Sequence, residues 1–201
     1  MSRETEIEKK NLITKKEFEQ LCRRFDIQED QFTRQANTYF DTDDGAVRKE
    51  GAALRIREKN NDMVLTLKQP APEGLLETNQ PLSPQEAEDV ITGRSFPEGE
   101  VKNALTESLH IHPENLGRLG TLETLRTQFP YKTGILFLDH STYLDTEDFE
   151  IEIEGSSEKE VEAWLDELLQ EQNIPARSTP NKIKRFFLRK QEINASDEHR
   201  S

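Results

Sequence analysis

The chain has 201 residues, enough for one large domain or two small ones and for a buried core without covalent staples. Only 32% of it is hydrophobic and 33% is charged, with 40 acidic side chains against 27 basic ones and a formal charge of −13. No apolar run reaches the ~18–20 residues of a membrane helix, and the acidic balance disfavours general nucleic-acid binding while leaving room for local basic clusters.

In chain order, a first strand is expected over 3–11. Its start, MSRETEIEKKN, has no hydrophobic stretch, so no secretory signal is expected and the cytoplasm is the expected compartment. Thr14-Lys15-Lys16-Glu17 is a capping box, and Phe18, Leu21, Cys22 and Phe25 follow at helical spacing. Cys22 falls on that apolar face, so it is expected in the core. As the single cysteine, it excludes an internal disulfide and speaks against a Cys-based zinc site. Strands are expected over 34–41, 52–59, 63–69 and 74–80, with Lys59-Asn60-Asn61-Asp62 as a hairpin connection. Ser83-Pro84-Gln85-Glu86 opens a second helix, with a cap, a proline at the first helical position and a glutamate three residues on. A weaker helical pattern runs from Val101 to about His110.

Strands over 119–129, 134–142 and 145–155 follow, linked by turns at Pro130 to Gly134 and Tyr143 to Thr146. Links this short favour antiparallel pairing. Ser157-Glu158-Lys159-Glu160 opens the clearest helix, whose Val161, Trp164, Leu165, Leu168 and Leu169 share one face. Thr179-Pro180 introduces a last helix with Ile183, Phe186 and Phe187 together. One domain is expected over 1–190, with 191–201 as a polar, flexible tail.

The second face of these strands is filled with charge, sorted by sign. Glu4, Glu6, Glu8 and Lys10 share one face of the first strand, and Glu150, Glu152 and Glu154 oppose Phe149, Ile151 and Ile153 near the end. Arg55, Arg57 and Lys59 oppose Leu54 and Ile56. Thr66 and Lys68 oppose Leu65 and Leu67, and Arg126 opposes Leu125 and Phe129. Residues two apart on a strand are about 6.6 Å apart. Two carboxylates at that distance repel by about 2.5 kcal/mol at an effective dielectric of 20. A glutamate triplet on an enclosed wall therefore needs water, a facing basic wall or a bound cation, and hard divalent cations prefer carboxylate oxygens. With amphipathic helices to cover the apolar faces, the pattern predicts a mainly-β α+β fold: an eight-stranded, closed antiparallel barrel with helices outside and charge lining the interior. Such a barrel has room for one modest ligand, and a polyanion carrying its own metal suits both walls.

These residues resemble the CYTH superfamily, the triphosphate tunnel metalloenzymes. Glu6-Ile7-Glu8-Lys9-Lys10 is similar to the amino-terminal E-x-E-x-K signature. Thr38-Tyr39-Phe40-Asp41-Thr42, Leu54-Arg55-Ile56-Arg57, Leu65-Thr66-Leu67-Lys68, Glu77, Leu125-Arg126-Thr127, Leu138-Asp139 and the Glu150 to Glu154 strand resemble later motifs in order. Lys182, with Lys184 and Arg185 after it, resembles the basic start of the last helix. The likeness spans about Glu4 to Phe187. It implies a tunnel enzyme that hydrolyses a small-molecule triphosphate (inorganic, thiamine or nucleoside) with Mg2+ or Mn2+. The cyclase branch has a His-Phe pair before E-x-E-x-K, and this chain has none there. A class IV-type adenylyl cyclase and a non-catalytic polyphosphate or nucleotide binder are the alternatives.

The resemblance makes Glu6, Glu8, Glu152 and Glu154 the metal candidates and Glu6, Glu8, Glu150 and Glu152 the catalytic ones. Lys10, Arg55, Arg57, Lys68, Arg126, Lys182 and Arg185 are candidates for the phosphate oxygens, because arginine offers a planar fork and lysine a point charge. Glu77 and Asp139 are further acidic positions, and Asp139 can instead bond an interior arginine. Trp164 is expected in packing. His110, His112, His140 and His199 lack zinc spacing, and no Gly-rich phosphate loop is present. The sequence carries no sign of oligomeric state.

Overall fold

The alternating segments fold as strands in the computed structural model, which describes residues 2–72 and 74–198. The strands are β1 (Ser2–Glu6), β2 (Glu8–Ile13), β3 (Thr33–Thr42), β4 (Ala53–Lys59), β5 (Asp62–Pro70), β6 (Leu75–Leu82), β7 (Leu116–Tyr131), β8 (Gly134–Tyr143) and β9 (Thr146–Glu154). They form one antiparallel sheet in the order β1-β6-β5-β4-β3-β7-β8-β9-β2. The three predicted hairpins are present. In the first, Asn60 and Asn61 hold the left-handed φ values of 53° and 69° that a tight two-residue turn needs.

The amino-terminal strand departs from expectation. It is broken at Ile7, so nine strands stand where eight were predicted, and the sheet is not closed: hydrogen bonding ends at β1 on one edge and β2 on the other. β1 pairs with β6 (Glu6 opposite Leu75), whereas β2 pairs with β9 (Glu8 opposite Glu154). At the break the Ile7 carbonyl accepts from the Gly155 amide at 3.0 Å, and the Ile7 side chain packs into the core. Charge alternation runs unbroken from Glu6 to Glu8, so it gave no sign of this change of partner.

The helices are α1 (Lys15–Arg24), α2 (Ala46–Lys49), α3 (Pro84–Ile91), α4 (Glu100–Asn103), α5 (Glu158–Glu171) and α6 (Lys182–Glu198). Both predicted amino-terminal capping boxes form, Thr14 with Glu17 and Ser83 with Glu86. The weak pattern after Val101 is α4 followed by a π-type turn over Ala104–Ser108. The four-residue α2 was not predicted. The tail expected to be flexible from 191 is helical as far as Glu198; residues 199–201, His199 among them, lie outside the described residues.

Helices cover the apolar face of the sheet in separate clusters. Leu54, Ile56, Leu65 and Leu67 pack with Val47, Ala87, Val90, Val101 and Leu105, while Leu136, Leu138, Ile151 and Ile153 pack with Leu21, Val161, Leu165 and Leu168. Each of the valines, leucines and isoleucines among them contributes about 1.5–3 kcal/mol when fully buried. Cys22 and Trp164 join the second cluster as partly buried packing residues. A smaller cluster seats α6: Phe186 packs with Tyr39, Leu122 and Tyr143. Gly120 makes this approach feasible. Its φ is 151°, and a Cβ there would stand 2.5 Å from the Phe186 ring.

Candidate active site

The charged face of the sheet surrounds a cavity. Glu6 and the β2 residues Glu8 and Lys10 line it, as do Gln35 and Tyr39 of β3, Arg55 and Arg57 of β4, Lys68 of β5, Arg126 of β7 and Glu152 of β9. Asn181, Lys182 and Ile183 at the start of α6 complete the wall. Because alternate residues of each strand point inward, distant parts of the chain converge here. The lining carries six basic side chains and three carboxylates, in a protein whose overall charge is −13.

Most of these charges are paired. Lys10 bonds Glu8, with its ammonium 4.0 Å from Glu152. Lys68 bridges Glu6 and Glu77, and Arg55 lies 3.6 Å from Glu77. Burial raises the Glu77 carboxyl, but Lys68 and Arg55 outweigh it and hold the pKa down to about 2. Arg126 forks onto Asp139 at 2.7 and 2.6 Å and reaches Glu152 at 3.5 Å. Lys182 sits between Asp139 at 2.7 Å and Glu150 at 2.6 Å. Arg185 bonds Glu150 at 2.6 Å and Asp148 at 2.9 Å.

Two groups are left out of balance. The Arg57 guanidinium donates to the Asn37 side-chain oxygen at 3.0 Å and has no carboxylate partner among the described residues. Burial, together with Arg55 and Arg126, pushes its pKa down to about 9. The Arg55 Nε, also buried, has no hydrogen-bond partner. On the acidic side, burial and the neighbouring Glu152 carboxylate raise Glu8 to about 7 despite Lys10. A buried cation lacking an anion, and a buried carboxyl pushed up by burial and a like charge, make one wall suited to an anion and another suited to a cation.

Asp139, Glu150 and Glu152 bring ligand oxygens within 4.8 Å of one another. Arg126, Lys182 and Arg185 already balance the first two, so geometry alone makes this trio a metal site and its charge does not. Glu6, Glu8 and Glu152 are the three carboxylates on the cavity wall, and they too have cationic neighbours, Glu6 in Lys68, Glu8 in Lys10 and Glu152 in Arg126; among the described residues, the 4.8 Å spacing is met by Asp139, Glu150 and Glu152 and not by this wall trio.

Several predicted residues do not line the cavity. Glu154 is half-buried, and Glu6 and Glu152 are among the charges that, with burial, raise its pKa. Glu150 and Arg185 are buried against each other behind Lys182, and Glu77 stands behind Lys68 and Arg55. Asp139 bonds an interior arginine, the second of its two expected roles. Sequence reasoning did not assign Gln35, Asn37, Tyr39 or Asn181. The first three alternate along β3 in phase with the charged faces, which was a usable signal; Asn181 lies in a loop and gave none.

The chain matches the CYTH domain from residue 4 to residue 187. It belongs to the CYTH family. A CYTH relative from Bacillus subtilis (strain 168), YjbK, named as a candidate triphosphatase, is 47% identical over 187 residues, covering 93% of this chain and 96% of its own. A crystal structure from Bacillus halodurans, described as a candidate adenylate cyclase, is 48% identical with a TM-score of 0.89, covering 93% of this chain and 100% of that one. A Hippeastrum protein, described as a candidate adenylyl cyclase with dominant triphosphatase activity, has a TM-score of 0.72 at 24% identity over 92% of this chain and 95% of its own, a likeness of fold alone. No described helix is long and apolar enough to cross a membrane.

Proposed function

We propose that this CYTH chain is a divalent-metal-dependent triphosphatase, cleaving the terminal phosphoanhydride of a small-molecule triphosphate to give orthophosphate and the corresponding diphosphate. The observation that carries this reading is the facing pair of imbalances: Arg57 without an anion and Glu8 without a full cation, on one cavity. A triphosphate with its metal satisfies both at once. In this reading β1 and β2, meeting at Ile7, complete the tunnel wall.

Glu6, Glu8 and Glu152 would hold Mg2+ or Mn2+, which when bound neutralises charge on the transferring phosphoryl group and polarises water. Arg57 and Arg55 present planar forks to phosphate oxygens from a water-poor wall, where preorganised donors act most strongly. Lys10, Lys68, Arg126 and Lys182 supply the remaining positive charge. Each already touches a carboxylate, so each is fixed in place before substrate arrives. Glu150 and Arg185 position Lys182 from behind. Glu154 lies outside the first ring of carboxylates, half-buried, and its pKa is raised by burial and by Glu6 and Glu152.

The test is product analysis with tripolyphosphate and ATP, with and without Mg2+ or Mn2+. Metal-dependent orthophosphate is the expected result. Pyrophosphate and cyclic AMP from ATP would replace this reading with the activity suggested by the description of the Bacillus halodurans relative. Tight binding without turnover would make the cavity a receptor.

A further inference from the structure

A second hollow adjoins the charged cavity. It lies where α2 and the start of β4 face α6, and its walls include Val47, Leu54, Leu119, Phe187 and Leu188. Gly51, Ala53, Asn181 and Ile183 line both spaces, so the two adjoin. Their chemistry differs. The first is walled by ionic side chains; the second is mainly aliphatic and aromatic carbon, with Leu188 46% exposed. At its edge the Arg48 guanidinium lies 3.7 Å from the centroid of the Phe187 ring. Arg48 itself is exposed and has no carboxylate partner among the described residues. At the junction, Asn181 Oδ1 accepts from the Lys184 amide at 3.0 Å, which leaves the side-chain NH2 of Asn181 with no partner among the described residues.

We propose that this annex receives the organic group of the substrate, and that the group is a neutral planar aromatic ring, as in a nucleoside triphosphate. The proposal rests on the triphosphatase reading and names its substrate class. Inorganic triphosphate would fill the ionic cavity and leave the apolar annex beside it exposed to water. A ring anchored by its phosphates gains the burial without a second association step. A guanidinium stacked on a phenyl ring is a platform that a flat heterocycle extends, through stacking and cation–π attraction. A cationic ring is disfavoured beside Arg48 and Lys184, because the carboxylate in this lining, Asp41, is already occupied by the backbone amides of Thr42, Val47 and Arg48, and an aliphatic chain gains nothing from the stack. The free NH2 of Asn181 stands where a linker oxygen would pass between the two spaces. Arg48 and Phe187 are thus specificity-determining residues.

The experiment compares steady-state kinetics on tripolyphosphate and ATP for the full chain and for Arg48→Ala, Phe187→Ala and Phe187→Leu. Arg48 is exposed, so its variant tests the idea even if Phe187→Ala unfolds; Phe187→Leu keeps apolar bulk and removes the ring. The expected result is a roughly tenfold loss of kcat/KM on ATP in Arg48→Ala and Phe187→Leu, carried by KM. Tripolyphosphate turnover should stay within about twofold. Equal losses on both substrates, or an unchanged ATP reaction, overturn the proposal while leaving the triphosphatase reading intact. If the variants change only the sedimentation of the protein, the annex is a contact between copies and the proposal falls. If the unmodified chain releases orthophosphate from neither compound, the underlying reading fails and this inference with it.

Discussion

Arg57 is held against its own electrostatics. It is buried, it faces Arg55 and Arg126, and a single amide oxygen at 3.0 Å is its hydrogen-bond partner. Residues of this kind lower the stability of the unliganded protein and repay it when the ligand binds. Arg57→Met should therefore leave the midpoint of thermal unfolding unchanged or raise it, because an uncompensated buried charge is replaced by a chain of similar volume. The same change should reduce kcat/KM on tripolyphosphate by about 10²–10³, the loss typical of removing one preorganised donor to transition-state charge. Calorimetry and initial rates on one preparation decide the matter: a large loss of stability with normal turnover would mean that Arg57 is structural. The sequence placed Arg57 on the charged face of its strand through simple alternation with Leu54 and Ile56. It could not show that Arg57 is the guanidinium lacking an acid, because that depends on which carboxylates the sheet brings near. Glu77 ends beside Arg55 and Lys68 through the β4–β5–β6 register, and no local pattern encodes it.

At the scale of elements, α6 is the piece whose role the sequence half revealed. Its basic first turn was legible, and Arg185 was read as facing substrate. The helix instead docks on β8 and β9, with Lys182 between Asp139 and Glu150 and with Arg185 on Glu150 and Asp148. Those partners lie 32 to 43 residues apart in sequence. Helical periodicity says which side chains share a face and nothing about what that face meets. The π-type turn after α4 and the break at Ile7 were illegible for a related reason: both are settled by packing, and the local pattern continues through them. The docking carries a prediction. Arg185→Met removes one cation from two buried or half-buried carboxylates and should destabilise the fold by about 3–5 kcal/mol. Adding Glu150→Gln should recover part of that loss, since the uncompensated charge is what the single change leaves behind. Urea unfolding of the single and double variants measures it. Additive losses would show that the two residues act independently and that the clamp is not what seats α6.

For the whole molecule, the cavity's imbalance becomes a pH dependence. Glu8 titrates near 7 in the folded protein against an ordinary carboxylate value of about 4.5. Between those values the folded state retains a proton that the unfolded chain has released. Stability contributed by Glu8 is therefore highest below about pH 4.5 and falls as pH rises through 7, by at most the order of 3 kcal/mol. Glu77 acts in the opposite sense. Held down to about 2, it stabilises the fold above pH 4.5 and loses that contribution as pH drops toward 2. The metal-free protein should thus be most stable near pH 4.5–5 and should lose midpoint temperature on going to pH 8. A divalent cation competes with the Glu8 proton, so the stabilisation given by Mg2+ or Mn2+ should grow across the same interval. Scanning calorimetry at pH 5, 6, 7 and 8, in chelator and in excess metal, reads both slopes. Glu8→Gln should flatten the first and weaken the second, because a neutral amide has no proton to exchange. If the chelated protein is equally stable at pH 5 and pH 8 and Glu8→Gln changes neither slope, Glu8 is compensated by some other group and the cation wall of the site must lie elsewhere.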